Sequence, residues 1–179
     1  MSIFDDIVQI DENGEIHLNQ WIEWQHISKG VIHCPVCMAL DKCWFDEKKM
    51  PILPQHDNCH CTKKTIPSPK VGVNIKAKCD IKKFSDYIFS DKYAWNGKRD
   101  LFKILGFNKD NFEYLKYEYE KQAEEAYSKS EYNIGQLDFR GQRIQIDIKF
   151  TKNGRNIFFT FGWMVKQYGT ISNNTPLAN

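Results

Sequence analysis

The amino-acid sequence predicts an α+β fold, in which a small cysteine-rich module precedes a domain of about three helices and an antiparallel β-meander. Apolar residues recur at helical spacing between residues 80 and 126, and the period changes to two after Ser130. Five of the six cysteines lie within 28 residues of one another. Helices that precede consecutive strands are typical of an α+β fold, since an α/β fold alternates the two.

Composition and charge exclude several classes of protein. The chain has 179 residues, of which 41% are hydrophobic and 27% are charged, so it can bury a core and global disorder is excluded. No stretch approaches the roughly 18 apolar residues of a membrane-spanning helix. The acidic start, Met1 to Asp6, lacks the pattern of a secretion signal. We therefore expect a cytoplasmic protein without a membrane partner.

Two modules with different chemistry are predicted, with a boundary between two prolines. Residues 1–68 hold 6 basic and 10 acidic side chains, whereas residues 69–179 hold 19 basic and 13 acidic ones. All five histidines lie in the first 60 residues. Pro67 and Pro69 bracket Ser68, and such a segment favours an extended connector. The N-terminal module is therefore a Cys/His module, and the C-terminal one is the α+β domain.

The spacing of the cysteines predicts a structural zinc site. The pair Cys34-Pro-Val-Cys37 is followed, after eighteen residues, by His56-Asp-Asn-Cys59-His-Cys61. Two such clusters of soft ligands can complete a tetrahedron around one Zn²⁺ ion, and a site closed by four protein ligands is structural. Five candidates compete for the four positions: Cys34, Cys37, His56, Cys59 and Cys61.

Other interpretations of these residues stay open. Cys43 and His60 are weaker candidates, and Cys43 fits neither cluster. A disulfide pair or free buried thiols are the alternatives to a metal, although a cytosolic chain argues against disulfides. A segment so rich in loops has little core of its own, and a structural metal would offset the missing burial.

Two runs in this module resemble a known family. They are Cys34-Pro-Val-Cys37-Met-Ala-Leu-Asp-Lys and Leu53-Pro-Gln-His56-Asp-Asn-Cys59-His-Cys61. Over about residues 15–66, the chain resembles the C-terminal part of phage Mu F-like head-morphogenesis proteins, which are minor capsid proteins. Asp57 stands where that family usually has proline, and His60 where it has arginine. The resemblance implies a phage-derived protein with a zinc-binding segment.

Three helices are predicted at the start of the second module. The first begins near Asp80, a candidate N-cap, and the second ends near Gly106, a candidate stop. Asp110 and Glu113 fit a capping box at the start of the third. Apolar residues at helical spacing mark the three segments: Ile81, Phe84, Tyr87 and Ile88; Leu101, Phe102 and Leu105; Phe112, Leu115, Tyr119, Ala123 and Ala126.

Strands follow the third helix and are joined by short turns. The first strand is predicted over 132–139, and the last over 170–177. Asn153-Gly154 matches a two-residue hairpin turn between the two strands in the middle. Apolar residues alternate along these middle strands: Ile144, Ile146 and Ile148; Ile157, Phe159, Phe161, Trp163 and Val165. We therefore expect an antiparallel meander with Trp163 in its core.

The order of these elements resembles an uncharacterised domain family that is grouped with the barnase–EndoU–colicin–RelE nuclease fold. Members of that family are found in phage head proteins and in bacterial polymorphic toxins. The matching pieces, over about residues 76–177, are Tyr87-Ile-Phe-Ser, Gly97-Lys98, the helix end from Phe102 to Phe107, Phe139-Arg-Gly-Gln-Arg-Ile, Phe161-Gly-Trp163-Met and Thr175-Pro-Leu. The resemblance implies a nuclease-like domain that engages RNA.

Basic residues are the candidates for nuclease chemistry, because the second module has no histidine to act as acid or base. Similarity to RelE-like sites implies a metal-independent ribonuclease that holds the phosphate with cations and hydrogen bonds. The candidate catalytic residues are Lys98, Arg99, Arg143 and Thr160. The candidates for neutralising an RNA backbone are Lys98, Arg99, Arg140, Arg155 and Lys166. The alternative is that these side chains form a solvated face or protect strand edges.

Three functions are compatible with these observations. The leading one is a phage-derived, ribonuclease-like protein that engages RNA in the host cytoplasm, and the other two are alternatives to it. The second is a catalytically inactive inhibitor of a host defence system, such as an anti-CRISPR protein, that binds guide RNA or a nucleic-acid-binding host protein. The third is a component of phage head assembly. The lack of histidine in residues 69–179 favours the second.

Overall fold

Helices and strands occupy separate stretches of the second half of the chain. The structure is a computed structural model that describes residues 8–10, 16–18, 20–28, 34–92 and 97–175. Three helical segments precede the four consecutive strands of the largest sheet. The fold is therefore α+β, which confirms the predicted class.

Short helices and ten strands lie in the described part of the chain. The helical segments are α1 (Pro35–Leu40), a 3₁₀ turn (Glu47–Lys49), a π-helical turn (Lys83–Ile88), α2 (Lys98–Ile104) and α3 (Phe112–Ser128). The strands are β1 (Val8–Ile10), β2 (Ile16–Leu18), β3 (Trp21–Gln25), β4 (Trp44–Asp46), β5 (Thr62–Ile66), β6 (Lys76–Lys78), β7 (Asn133–Asp138), β8 (Gly141–Lys152), β9 (Arg155–Val165) and β10 (Thr170–Thr175). None of the described helices is long and apolar enough to span a lipid bilayer.

The largest sheet has five strands in the order β6-β10-β9-β8-β7. Strands β7 to β10 follow one another as an antiparallel meander, and β6 adds to the outer edge of β10 in parallel. The hairpin between β8 and β9 turns at Asn153 and Gly154, both with positive φ, as a type I′ turn requires. The last strand ends at Thr175, and the end of its predicted range lies outside the described residues.

The third helix begins later than the capping box predicts. Helix α3 starts at Phe112 with Asn111 as its N-cap. The Asn111 side chain accepts the backbone N–H of Asn108 at 2.8 Å, and Asp110 donates its N–H to the Asn108 side chain at 2.7 Å. These local hydrogen bonds hold the segment as a turn, so Asp110 lies before the helix.

One face of the large sheet is buried against α3. Side chains alternate along a strand, and the alternate residues Ile144, Ile146 and Ile148 of β8 are all buried. Their neighbours in the same row of β9 include Phe161 and Trp163. Tyr119 of α3 packs on these two rings, with centroid distances of 4.3 and 5.1 Å. The prediction that Trp163 lies in the core is confirmed.

A second, smaller sheet contains the cysteine-rich part of the chain. It has three strands in the order β4-β3-β5. The side chains of Trp21, Ile22 and Trp24 on the central strand are buried, whereas β5 is exposed along most of its length. A three-stranded sheet of this size buries little apolar surface unless another element covers it.

Both sheets share one hydrophobic core. Trp21 of β3 packs edge-on against Tyr127 of α3, with ring centroids 5.4 Å apart. The Tyr127 hydroxyl donates a hydrogen bond to the Trp44 carbonyl oxygen. Lys49 Nζ donates to the Tyr132 carbonyl oxygen at 2.6 Å. Buried residues on either side of the predicted module boundary therefore form a single cluster, and the boundary itself stays a prediction.

We expect Tyr127→Ala to lower the free energy of unfolding by about 3–5 kcal/mol, the usual loss for a buried aromatic side chain. Tyr127 is fully buried and joins the two sheets. The matched control is Tyr117→Ala on the same helix, where the side chain is 58% exposed. There a change within about 0.5 kcal/mol is expected. Urea denaturation followed by circular dichroism measures both, and equal losses would contradict a shared core at Tyr127.

Candidate metal centre

Helix α1 presents the first pair of ligands. Cys34 is its N-cap, and Pro35 lies in the first turn, where its missing N–H leaves no intrahelical hydrogen bond unmade. Residues three apart lie on one face of a helix, so Cys34 and Cys37 project to the same side. Cys37 is buried, whereas Cys34 is partly exposed. The predicted Cys-x2-Cys pair is thus positioned by the start of a short helix.

A tight turn presents the next two candidate ligands, His56 and Cys59. The Cys59 N–H donates to the His56 carbonyl oxygen at 3.1 Å, and Asn58 adopts a left-handed φ of +59°. His56 Nδ1 lies 2.7 Å from the Asp57 carbonyl oxygen, a distance at which this nitrogen carries the proton. The other ring nitrogen, Nε2, lies 3.5 Å from Cys37 Sγ. A histidine whose other nitrogen donates to a carbonyl oxygen is oriented as metal-binding histidines are.

The ladder between β3 and β5 positions the last cysteine. Gln25 pairs with Thr62 in the antiparallel register, so the next residues along, His26 and Cys61, face each other. Cys61 Sγ lies 3.5 Å from His26 Nδ1. The backbone N–H of His26 donates to the Asp41 carboxylate at 2.9 Å, which ties the end of β3 to the end of α1.

Two separations between candidate ligand atoms match those of a tetrahedral zinc site. Those of Cys34, Cys37 and His56 lie within 4.8 Å of one another, as do those of Cys37, Cys59 and Cys61. The sulfurs of Cys37 and Cys59 are 3.8 Å apart. With zinc-like bond lengths, two sulfurs on one tetrahedral ion are about 3.8 Å apart, and a sulfur and a nitrogen about 3.5 Å. The five predicted residues therefore form a cluster that could hold a metal ion.

The thiols of this cluster differ in how readily they ionise. Burial, reinforced by three neighbouring thiols, raises the pKa of Cys37 far above its ordinary value. Burial acts in the same direction at Cys59, but hydrogen bonds from the backbone at Gln55 and Cys61 outweigh it and lower the pKa of Cys59 to about 7. Metal ligands are thiolates, so a bound divalent cation would displace the Cys37 proton and compensate the clustered negative charge.

Three further cysteine and histidine residues lie outside the two groups of ligand atoms. Cys43 is buried in the core, where its thiol donates to the Ala39 carbonyl oxygen at 3.5 Å. His60 is exposed and lines a cavity of about 170 Å³ at the cluster. His26, which the cysteine spacing does not point to, lines the same cavity. A histidine at the end of an apolar strand is the sequence signal that could have found it.

Two of the predicted phosphate-binding residues begin α2. Lys98 is the first residue of the helix, and its side chain lies outside the described part of the structure. Arg99 Nη1 lies 2.8 Å from one oxygen of Asp91, and Lys109 Nζ lies 2.9 Å from the other. Hydrogen bonding to Lys109, and then to Arg99, lowers the pKa of Asp91. Arg99 therefore has an acidic partner at the position where a phosphate would bind.

The other predicted catalytic residues lie on the outward rows of β8 and β9. Arg143 Nη2 lies 3.0 Å from an oxygen of Asp138. The Thr160 hydroxyl donates to the Asp147 carboxylate at 2.5 Å. In each strand, the next residue along belongs to the buried row, so Arg143 and Thr160 project from the opposite face of the sheet. Each of them thus has a carboxylate partner on the same face of the sheet.

The sheet separates the two groups of predicted catalytic residues. Phe102 of α2 stacks on Phe161 of the buried row, with ring centroids 6.5 Å apart. Helix α2 therefore packs on the inner face, whereas Arg143 and Thr160 project from the outer face. The structure does not bring Arg99 and Arg143 together at one phosphate. Their shared catalytic role stays a prediction.

Two predicted RNA-binding residues meet at one end of the large sheet. Lys166 Nζ donates to the Arg140 carbonyl oxygen at 3.4 Å, and the Arg140 guanidinium lies 5.1 Å from the centroid of the Phe139 ring. Tyr168 follows in the turn after β9, and its N–H donates to the Lys42 carbonyl oxygen at 2.8 Å. Phe139 and Tyr168 are 62% and 58% exposed. These residues form the end surface: Lys42, Phe139, Arg140, Lys166 and Tyr168.

Arg155 lies at the opposite end of the same sheet. It is exposed, and it pairs with Lys152 across the tight hairpin between β8 and β9. Strand β8 has 12 residues, which separates this hairpin from the end surface by roughly 35 Å at the usual rise per residue. The five predicted RNA-binding residues therefore lie in three places: α2, the end surface and the hairpin.

Comparison with protein-family models, with curated proteins and with solved structures found no match for this chain. The resemblances to Mu F-like head proteins and to the nuclease fold therefore stay predictions from the sequence. The chemistry of the candidate sites rests on the geometry of their own residues.

We expect the metal-free protein to bind Co²⁺ with the near-ultraviolet charge-transfer absorption that thiolate ligands produce. Cys37→Ser should remove most of this absorption, because Cys37 belongs to both groups of ligand atoms. Cys43→Ala is the matched control, since the Cys43 thiol is equally buried but lies in the core. The Co²⁺ absorption of this variant should equal that of the parent protein. Spectrophotometric titration measures all three proteins. Undiminished absorption in the Cys37 variant would contradict a metal centre in this cluster.

Proposed function

We propose that the Cys/His cluster holds structural zinc. Thiolates and imidazole are the ligands that zinc prefers, whereas magnesium and calcium prefer oxygen. The separations of Cys37 Sγ from His56 Nε2 and from Cys59 Sγ agree with tetrahedral coordination by zinc. The centre ties together α1, the 51–61 loop and the start of β5, segments with few buried side chains. Zinc therefore supplies stability to a part of the chain that burial alone stabilises little.

We further propose that the chain binds RNA through the end surface. Arg140 and Lys166 can neutralise phosphates, and Phe139 and Tyr168 offer exposed rings on which bases can stack. The observation that carries this proposal is the exposed Phe139 ring beside the Arg140 guanidinium. Single-stranded RNA is the favoured ligand, because its unpaired bases are free to stack on such rings.

Binding without hydrolysis is the favoured form of this function. Arg99, Arg143 and Thr160 each have a carboxylate partner, and they lie on two faces of the sheet. Residues 69–179 contain no histidine for acid–base catalysis. A phage-derived inhibitor that binds the RNA of a host defence complex in the host cytoplasm fits this pattern better than a ribonuclease does.

Purified protein should contain about one zinc ion per chain. Removal of the metal with a chelator should lower the midpoint of thermal unfolding, because structural zinc contributes directly to folding free energy. Elemental analysis and differential scanning calorimetry measure the two effects. Cys37→Ser serves as control, since its unfolding midpoint should not respond to the chelator. If the thermal unfolding midpoint of the parent protein is unchanged after complete metal removal, zinc has no structural role.

The double substitution Arg140→Ala/Lys166→Ala should weaken RNA binding and make it less dependent on salt. Loss of two phosphate contacts should reduce the slope of log affinity against log salt by about 1.4 for a single strand. The matched control is Lys152→Ala/Arg155→Ala, which removes the same charge at the other end of β8. Fluorescence anisotropy with labelled single-stranded RNA at several KCl concentrations gives the slopes.

If both double variants lose RNA affinity equally, binding depends on the overall charge of the protein. That result would contradict the proposal that RNA binds at the end surface. Incubation of total RNA with the protein in EDTA tests hydrolysis separately. No cleavage is expected. Cleavage that disappears in Lys98→Ala/Arg99→Ala would overturn binding without hydrolysis and support a metal-independent ribonuclease.

A further inference from the structure

Strand β8 has an edge that no other strand covers in the part of the chain that the structure describes. Its neighbour β7 begins at Asn133, which pairs with Gln145, whereas β8 continues to Lys152. Over residues 147–151, β8 therefore pairs with β9 on one side alone. Backbone groups alternate between the two sides of an antiparallel strand, so every second residue directs both its N–H and its C=O away from β9. This stretch is the open edge.

The side chain of Gln122 shows what the open edge accepts. It donates an N–H to the Lys149 carbonyl oxygen at 3.0 Å, and its oxygen accepts the Lys149 N–H at 2.8 Å. Two residues of an antiparallel pair exchange the same two hydrogen bonds. Asp147 and Thr151 direct their backbone groups the same way, and no hydrogen bond from the described residues reaches those groups. The Gln122 amide thus makes the contacts of an added strand at one of three positions.

A cavity of about 340 Å³ lies beside the open edge. Phe107 packs edge-on against Phe150 of the buried row of β8, with ring centroids 5.9 Å apart, which places the cavity on the inner face of the sheet. Its lining comes from the end of α2 and the turn after it, from one row of α3 and from β8: Leu105 and Phe107, Tyr114, Glu118 and Gln122, and residues 149–151. A strand at the open edge could place an apolar side chain in this cavity.

We propose that the open edge binds an extended peptide of a partner protein as an added antiparallel strand, with Gln122 covering the central position until the peptide displaces it. Backbone groups of Asp147, Lys149 and Thr151 form main-chain hydrogen bonds to the peptide, which are the source of affinity in strand addition. The open edge lies toward the hairpin between β8 and β9, at the other end of β8 from the end surface. The peptide site is therefore separate from the proposed RNA site.

Side chains around the open edge specify the chemistry of the peptide. Lys149 is exposed on the outer face, so an acidic residue directly opposite it is favoured. The residues before and after that acidic one point to the inner face, because side chains alternate along a strand. One of them lies opposite Phe150 and enters the cavity, where leucine or another apolar side chain packs. The preferred sequence is therefore an acidic residue between two apolar ones.

A fluorescein-labelled peptide with blocked ends tests the strand pairing on the full chain. Its central glutamate is flanked by leucine on both sides, and threonine completes each end. N-methylation of the glutamate removes the N–H that would donate to the Lys149 carbonyl oxygen, so affinity should fall about tenfold or more. The matched control is N-methylation of the following leucine, whose N–H points away from β8, and affinity should change by less than about twofold. Fluorescence anisotropy measures both.

Gln122→Ala should strengthen binding of the unmethylated peptide about fivefold, because the peptide no longer has to displace the glutamine amide. The matched control is Lys121→Ala at the next position of α3, an exposed residue, where affinity should stay unchanged. Lys149→Glu should weaken binding of the glutamate peptide and strengthen binding of the same peptide with a central lysine. Circular dichroism shows whether each variant keeps the parent fold.

Three results would overturn the proposal. If both N-methylated peptides lose affinity equally, side chains alone hold the peptide and no strand is added. If neither the parent protein nor a folded Gln122→Ala variant binds the peptide, Gln122 only protects the edge. Analytical ultracentrifugation of the chain alone should show a monomer. A dimer that the peptide dissociates would assign the open edge to a second copy of this chain instead of a partner peptide.

Discussion

Packing of Trp21 against Tyr127 is the contact that joins the two sheets. A three-stranded sheet this small buries little apolar surface unless another element covers it, and the buried side chains of β3 pack on residues outside their own sheet. Tyr127 supplies an aromatic face for Trp21 and a hydroxyl that donates to the Trp44 carbonyl oxygen. One side chain thus contacts two strands of the small sheet, through its ring and through its hydroxyl, and helps to position that sheet on α3.

The Cys/His cluster that could hold a metal lies where the chain also buries few side chains. Helix α1 has only six residues, and the 51–61 segment is a loop. Neither can bury enough side chains to hold its own position, so a bond network through a metal is an efficient substitute. The pattern of thiol pKa values agrees with this view, because the buried Cys37 thiol resists ionisation unless a cation compensates it.

Features that depend on local periodicity could be predicted from the sequence, and features that depend on distant pairing could not. The alternation of Ile144, Ile146 and Ile148 identifies a half-buried strand, and the spacing of Cys34 and Cys37 identifies a ligand pair, because both patterns are short in sequence. His26 reaches Cys61 only through the β3–β5 register, which no local pattern encodes.

The predicted catalytic residues also show that the sequence does not reveal which distant residues come together. Arg99 and Arg143 form one predicted group because both are basic and similarity to RelE-like sites implies cations at the phosphate. That is information about residue type and not about position in space. Whether two side chains share a site depends on which face of a sheet each occupies. A change of one residue in register would move Arg143 to the other face. Sequence periodicity predicts that β8 has a buried face but does not specify what else packs on it.

Helix α1 connects the two proposed sites. Its first turn carries Cys34 and Cys37, and the chain after its last turn passes to Lys42, whose carbonyl oxygen accepts the N–H of Tyr168. The helix is about 9 Å long at the usual rise per residue. In the proposed function, a metal bound at one end would restrain the turn that carries Tyr168 at the other. In the proposed function, the zinc-binding part of the chain contributes to RNA binding by holding the stacking ring of the end surface in place.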